Sequence, residues 1–401
     1  MYLTTIYPRV LWLVAVVLAS APAPAGTGET LAGDDRAALL VDPASPALLA
    51  DPTLRHRVAE GPHDFFRYVN GPFREELCRE LAPSLRSAPE VTLHGDPHVE
   101  QYAVTDRGRG LADFDDSTLG PALLDLVRFA TSLRLAADER GWPPADDAVH
   151  RFLDGYAAAL RDPTRPPAEP RLVARLRAGF DRDRRNALAR AEALMEALPP
   201  EQTPSEATLD RTARVLAQVS VWPAAFFKVK RVGALRIGIG SAGDEKYLLR
   251  VEGHSPASDD DMILEIKEVR AMPADSCVRS QPGPDRIVQG NSRLAYQPFD
   301  YAGGITLEGR SFWFHAWPDN YVELDVRRDL LSPAELGEVA RDVGYQLGRG
   351  HPRARGDSKR LCAALLKQLS PEQVATLSLE MAQATTEAWR RYKERLTTRT
   401  E

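Results

Sequence analysis

The sequence predicts a mixed α+β fold, and two patterns in different parts of the chain support this prediction. Over residues 121–219, and again over 332–397, apolar residues recur at the three- and four-residue spacing of amphipathic helices. Over 224–317, apolar and polar residues alternate instead, as they do in half-buried antiparallel strands. We therefore expect a mixed first part, then helices, then an antiparallel sheet of about five strands, then further helices.

Individual elements follow from the same patterns. A short strand is expected over 90–96, and a hairpin with a glycine-rich turn at 107–110 is expected over 102–116. A helix should open at Gly120–Pro121, and the final helical region should break near His351. Further helices are expected at 145–161, 169–197, 205–219 and 284–297, and a second hairpin at 304–317.

Composition places the chain among ordinary globular proteins. It has 401 residues, of which 43% are hydrophobic and 27% are charged. The net charge of -6 gives no basic balance, so we do not expect nucleic acid as a partner. The three cysteines, Cys78, Cys277 and Cys362, permit at most one disulfide bond and lack the spacing of a metal site.

The first 25 residues have the layout of a signal peptide. One basic residue precedes the apolar run VLWLVAVVLA, which is followed by SAPAPAG. A run of about ten residues is short for a membrane span, which needs roughly 20. We expect cleavage after Ala25, export to the periplasm or the extracellular space, and no stable membrane span in the mature chain. The expected divisions are a signal peptide at 1–25, a loose lead-in at 26–58, a helical lobe at 59–223, a β lobe at 224–325 and C-terminal helices at 326–401 that pack on the helical lobe.

Acidic residues and histidines gather in two neighbouring stretches, TLHGDPHVEQY (92–102) and LADFDDSTLGP (111–121). Asp96 and Asp113 each follow a predicted strand, and two strand-end aspartates brought together form an oxygen site suited to Mg²⁺. Phosphoryl transfer needs one such aspartate as the base for the attacking hydroxyl. We assign that role to Asp96, and we assign the metal to Gln101, Asp113 and Asp115.

The same residues permit two other interpretations. The aspartates could cap turns by accepting hydrogen bonds from backbone amides. A metal-dependent hydrolase could use a larger set of them. That set is His94, Asp96, His98, Asp113 and Asp115.

A glycine-rich stretch and a lysine follow in the predicted β lobe. Gly238, Gly240, Ser241 and Gly243 lie where backbone amides could contact phosphate oxygens. Lys267 lies in the strand EIKE, and alternation places its side chain on the face opposite to Ile266. A lysine on such a strand could pair with the phosphates of a nucleotide, although a surface hairpin with an extended lysine would give the same pattern.

Together these motifs resemble the DUF2252 family of bacterial proteins. HGDPHVEQY, LADFDD and GPALLDLVRF are similar to the family motifs, as are RVGALRIGIGSAGDEKYLLRVEG and LEIKE, and the matching blocks cover about 62–140 and 225–350. The first motif also resembles aminoglycoside-phosphotransferase-like kinases.

That resemblance implies a two-lobed protein-kinase-like fold with circularly permuted lobe order, a helical large lobe and an antiparallel-sheet small lobe. It further implies Mg²⁺, ATP and an acceptor that is a small molecule or a protein. Asp125 would support the loop around Asp96, as would His94 and His98.

Two positions depart from the family pattern. Gln101 stands where the family has asparagine, and Gln289 stands where it has a glutamate in the helix after the lysine. A kinase lysine normally pairs with that glutamate. A non-catalytic, kinase-like binding module is therefore an alternative.

Overall fold

The computed structural model describes residues 39–85, 88–198, 205–218, 224–235, 245–255, 257–272, 277–279, 282–307, 309–354 and 358–397. The expected signal peptide and Gly238, Gly240, Ser241 and Gly243 lie outside these ranges. The helices are α1 (Pro46–Ala50), α2 (Pro52–Glu60), α3 (Pro62–Tyr68), α4 (Asn70–Leu85), α5 (Leu123–Glu139), α6 (Asp146–Arg161), α7 (Arg171–Ala178), α8 (Arg184–Ala193), α9 (Glu206–Gln218), α10 (Asp285–Leu294), α11 (Pro333–Gly350), α12 (Ser358–Gln368) and α13 (Pro371–Thr397). The strands are β1 (Glu90–Leu93), β2 (Tyr102–Thr105), β3 (Arg109–Leu111), β4 (Thr118–Pro121), β5 (Val229–Ala234), β6 (Lys246–Val251), β7 (Met262–Glu268), β8 (Gly303–Leu307), β9 (Arg310–Ala316) and β10 (Tyr321–Glu323).

The predicted mixture of helices and antiparallel sheets is confirmed. The largest sheet has five antiparallel strands in the order β5-β6-β7-β9-β8, and α10 lies in sequence between β7 and β8. Its covered face packs Leu249, Leu264 and Phe314 into a hydrophobic core with Leu216 of α9. The opposite face is mixed: Leu248 and Ile263 pack there against α8, and Lys246, Glu265 and Lys267 lie on the same face.

Two small sheets carry the acidic stretches. β1 pairs with β4, and β2 pairs with both β3 and β10, all antiparallel. The predicted hairpin over 102–116 is thus confirmed. Gln346 of α11 fixes the end of this hairpin. The side-chain oxygen of Gln346 accepts from Leu111 N at 2.7 Å, and its amide nitrogen donates to Leu111 O at 3.1 Å. The chain leaves β3 in a fixed direction just before Asp113.

The helices form the larger core together with these small sheets. α5 is buried along most of its length, and α13 packs against it. α6 and α11 lie close enough that a side chain at Gly155 would collide with the carbonyl oxygen of Arg341, and one at Gly344 with that of Phe152. Glycine is required at these positions because the two helix backbones are in contact.

The structure corrects three predicted elements. Thr118–Pro121 is a strand, and α5 begins only at Leu123. Pro121 is tolerated because β4 is an edge strand of a two-stranded sheet. The expected helix over 169–197 is two helices, because α7 ends at Gly179 and the Asp183 side chain caps α8 by accepting from Arg185 N. The end of the expected loose lead-in forms α1 and α2.

The break near His351 is confirmed as a 3₁₀ turn over His351–Ala354. Within the described part of the chain, no helix has both the length and the apolar character required to cross a bilayer.

Candidate functional site

A polar cleft of about 800 Å³ lies between the open face of the five-stranded sheet and the two acidic stretches. Its walls carry charges of both signs. The predicted residues that line it are Asp96, His98, Gln101, Asp113, Asp115 and Lys267. Sites that bind small charged ligands are typically concave and contain a few convergent polar groups of this kind.

The loop that follows β1 is held by one buried carboxylate. Asp125 on α5 accepts hydrogen bonds from the backbone amides of His94 at 2.7 Å and Gly95 at 3.0 Å. His351 Nε2 lies 3.2 Å from the same carboxylate. Gly95 has a φ of +88° and its Cα faces the carbonyl of Asp116, so no larger residue fits. The two acidic stretches are therefore in direct backbone contact.

Asp96 projects from this loop into the cleft, with 14% of its side chain exposed. Arg128 Nε donates to Asp96 Oδ1 at 2.6 Å, and Arg128 itself is buried over the rings of Phe66 and Phe73 at 4.1 and 5.0 Å. Burial raises the pKa of Asp96 to about 7 despite the opposing charge of Arg128. Asp96 is thus fixed in place and has a proton affinity suited to a base near neutral pH.

The two histidines of the first stretch are buried and neutral. Burial lowers the pKa of both His94 and His98. His94 Nε2 donates to Ala112 O at 2.9 Å, which joins the loop to the residue before Asp113. His98 Nε2 lies 4.0 Å from Asp96 Oδ2. Both residues therefore pack and orient the loop.

The second acidic stretch meets the lysine of the sheet. Lys267 Nζ lies 3.6 Å from Asp113 Oδ1 and forms an ion pair with Asp115. Lys267 and Asp113 are therefore neighbours in the fold, although 153 residues lie between them in the sequence. Asp113 adopts a left-handed backbone conformation with a φ of +57°, which turns its side chain towards the lysine.

The buried charges of this group act on one another. Burial alone would raise the pKa of Asp113, but the charges of Lys267 and Lys246 outweigh it, so its pKa is lowered. Burial and the charge of Asp113 raise the pKa of Asp115. The Oδ1 atoms of Asp113 and Asp115 are buried and have no hydrogen-bond partner among the described residues. Such atoms are costly unless a cation or donor reaches them.

The open face of the sheet carries further groups that the sequence analysis did not single out. Lys246 lies directly opposite Lys267, and Glu265 lies opposite His315 with Oε2 and Nε2 3.1 Å apart. Phe299 stacks on His315 at a centroid distance of 4.1 Å. Strand alternation around Lys267 was the available signal for this polar face.

Gln101 and Gln289 lie in different surroundings. Gln101 is 7% exposed, and its side chain lines the cleft beside the acidic stretches. Gln289 is exposed on α10 and does not line the cleft. On that helix Arg286 faces the site instead, donating to the backbone of the second acidic stretch. The charge partners of Lys267 are therefore aspartates, and the glutamine on α10 does not decide its pairing.

Arg128 and Arg286 are the main site residues that sequence reasoning missed. Arg128 follows Asp125 by three residues on α5, and such residues share a helix face. That spacing was the signal that could have identified it.

Comparison with known proteins gives one match. A family model described as an uncharacterized protein conserved in bacteria (DUF2252) matches residues 50–207 and 176–395. No curated protein and no solved structure matches the chain. Because the family model covers most of the sequence, the chain belongs to the DUF2252 family.

Proposed function

We propose that this protein is an exported, kinase-like phosphotransferase that binds ATP with Mg²⁺ in the cleft. The observation that carries the proposal is the approach of Lys267 on the sheet to Asp113 and Asp115 on the opposite wall. Phosphoryl transfer needs positive donors on one side of the phosphates and metal ligands on the other.

The order of elements supports this proposal. Three antiparallel strands, β5, β6 and β7, are followed by α10 and then by the β8–β9 hairpin, with the lysine on the third strand. Protein kinases likewise carry this lysine on the third strand, before a helix. We propose 224–325 as the small lobe, with 59–223 and 326–401 as the large lobe in permuted order. Gly238, Gly240, Ser241 and Gly243, between β5 and β6, would cover the phosphates.

The residues present fit Mg²⁺. Among the described residues, Asp115 Oδ1 is buried without a hydrogen-bond partner, and Asp113 Oδ1 lies 3.6 Å from Lys267 Nζ, beyond hydrogen-bond distance. Gln101 adds an amide oxygen on the same cleft. Among the described residues, no three His, Cys, Asp or Glu side chains are placed to hold a metal by themselves. A Mg²⁺ ion shared with nucleotide phosphates would take ligands from both sides and neutralise charge developing on the transferred phosphoryl group.

The chain's own residues divide the chemistry. Asp96 accepts the proton of the acceptor hydroxyl as its oxygen bonds to the terminal phosphorus of ATP, and the bond from that phosphorus to the bridging oxygen breaks to release ADP. Lys267 holds the phosphates. Arg128 occupies Asp96 Oδ1, which leaves Oδ2 for the hydroxyl.

One contact favours the alternative of a non-catalytic binding module. The Arg128 guanidinium already forms a buried ion pair with Asp96, so this carboxylate has a structural partner without any substrate. The hydrolase alternative has less support, because the His94 ring is engaged with a backbone carbonyl.

Export is part of the proposal. A disulfide bond joins Cys78 to Cys277, leaving Cys362 as the free cysteine of the described chain. Disulfide bonds persist mainly in oxidising compartments, which agrees with the signal peptide expected at 1–25.

Calorimetric titration of the mature chain with Mg²⁺ and ATP tests the proposal. We expect binding in the parent protein and in Lys359→Gln, an exposed control. Binding should be at least about tenfold weaker in Lys267→Gln and Asp113→Asn, because each loses a charged contact. Equal affinity in all four proteins would contradict the site.

Turnover separates the alternatives. Asp96→Asn should bind nucleotide but lose ATP consumption. If the parent binds nucleotide and never consumes it, the binding-module alternative holds.

A further inference from the structure

Three buried arginines meet beside the acidic stretches. Arg74 on α4, Arg128 on α5 and Arg286 on α10 are 6%, 3% and 4% exposed, respectively. We call them the arginine cluster. Arginines are rarely this buried without carboxylate partners, so the charges around them matter.

The carboxylates nearby are largely engaged elsewhere. Asp96 is held by Arg128, and Asp115 is paired with Lys267. The hydrogen bonds of Arg286 go instead to neutral backbone carbonyls, including Ser117 O at 3.1 Å and Arg270 O at 3.1 Å. Arg286 therefore donates to backbone carbonyls, and these carry no charge to neutralise its guanidinium group.

Asp116 is the main remaining acid in this region. Its Oδ2 accepts from Asn70 Nδ2 at 3.0 Å, and its charge acts on both Arg128 and Arg286. Burial lowers the pKa of those two arginines, and the charge of Arg74 lowers each further. Asp116 thus lies near Arg128 and Arg286, and the guanidinium charges of the cluster repel one another.

Two donors of the cluster are left over. Arg128 Nη1 and Arg286 Nε are buried and have no hydrogen-bond partner among the described residues. A buried donor without an acceptor costs free energy of about 1–3 kcal/mol. An anion bound in the cleft against Arg286 would supply an acceptor there and reduce the repulsion between the guanidinium groups.

Two residues of the cluster, Arg74 and Arg286, open onto the same space as the proposed catalytic groups. Arg74, Arg286 and Asn70 line the cleft that also contains Asp96 and Lys267. Lys267 belongs to the sheet, whereas Arg74 and Asn70 belong to α4 on the helical side. A ligand group held by Arg74 therefore contacts a different element from the phosphates assigned to the lysine.

We infer that the arginine cluster is an anion subsite, and that the acceptor is a hydroxyl compound that also carries a phosphate or carboxylate group. The assignment of this ligand as the acceptor rests on the proposed phosphotransfer. Guanidinium groups bind both oxyanions through paired, charge-assisted hydrogen bonds. With its anionic group held by the cluster, the acceptor would present its hydroxyl to Asp96 Oδ2.

Inorganic phosphate is the direct probe. It is titrated calorimetrically into protein saturated with Mg²⁺ and a non-hydrolysable ATP analogue, so that the nucleotide site is filled. We expect binding in the parent and in Arg211→Gln, an exposed arginine on α9 outside the cleft. Phosphate affinity should fall at least about tenfold in Arg74→Gln and in Arg286→Gln.

Arg286 also holds backbone carbonyls, so circular dichroism and thermal unfolding must first show that its variant is folded. Arg74→Gln carries the test if that variant is not. Glycerol, glycerol 3-phosphate and glycerate then distinguish the anions: both anionic compounds should compete with phosphate, and glycerol should not.

The outcomes are separable. No phosphate binding in the parent, or unchanged affinity in Arg74→Gln, overturns the subsite. Loss in Lys267→Gln with no loss in Arg74→Gln would place the ion in the nucleotide site and overturns it too. If the ATP analogue does not bind and phosphate still depends on Arg74, the phosphotransferase proposal fails and the anion subsite stands.

Discussion

Reduction of the Cys78–Cys277 bond should destabilise the protein strongly. The bond closes a loop of 199 residues and joins α4 to the segment between β7 and α10. Constraining an unfolded chain over that length contributes about 5 kcal/mol at about 25 °C in the chain-entropy account. Dividing this free energy by the unfolding entropy of a protein of 401 residues gives a fall in melting temperature of about 6 °C.

The bond also positions the cleft. Arg74, which lines the cleft, precedes Cys78 by one helical turn on α4. On the other side, Arg279 N donates to Leu119 O at 3.0 Å, which fastens the segment after Cys277 to β4. Reduction should therefore weaken ligand binding in the cleft as well as stability.

The assay is thermal unfolding of the mature chain with and without reductant, followed by the variants Cys78→Ala, Cys277→Ala and Cys362→Ser. The first two should match the reduced parent, apart from a small packing loss at buried Cys78. Cys362 is free, so its variant should match the oxidised parent. An unchanged melting temperature on reduction, or an equal fall in Cys362→Ser, would refute the reasoning.

Two further predictions concern Asp96. Arg128→Met should lower the free energy of unfolding, measured by denaturant titration, by about 3–5 kcal/mol, because the substitution leaves a buried carboxylate unpaired. The control Arg151→Met, which removes an exposed ion pair with Asp147, should change that free energy by less than about 1 kcal/mol. The pKa of Asp96 is raised to about 7, so the folded protein keeps a proton that the unfolded chain loses between its ordinary value of 3.8 and about 7. Its contribution to stability must fall as pH rises through that window. The free energy of unfolding, measured from pH 4 to 8, should decline less steeply in Asp96→Asn than in the parent protein. A parallel decline in both proteins would contradict the raised pKa of Asp96.

Sequence patterns predicted the fold where the hydrophobic period was clear. The strands of the five-stranded sheet and the helix α10 lie where alternation and helical spacing indicated. The same sequence patterns gave wrong element boundaries where single residues decide them. Gly120–Pro121 has the composition of a helix start, but pairing with β1 made it a strand, because tertiary contacts override local preference.

The candidate site was predicted in its acids and its lysine but not in its arginines. Asp96, Asp113 and Lys267 stand out because charged residues at strand ends or inside an apolar strand need a reason. Arg286 lies in an ordinary amphipathic helix, and only the packing of α10 against the second acidic stretch gives it a role. Partners that meet through tertiary packing leave no spacing signal in the sequence.

The arrangement of α5 explains why the first acidic loop is tied so closely to one helix. Asp125 holds the backbone of the loop through the amides of His94 and Gly95, and Arg128 holds the side chain of Asp96. One negative and one positive residue, spaced by three on a rigid buried helix, thus fix both the path of the loop and the direction of its carboxylate. A capped turn would need only the first of these contacts. The second contact, from Arg128 to Asp96, requires two buried charges, and burying charges costs desolvation free energy. Such a cost is typical of residues retained for a function rather than for stability.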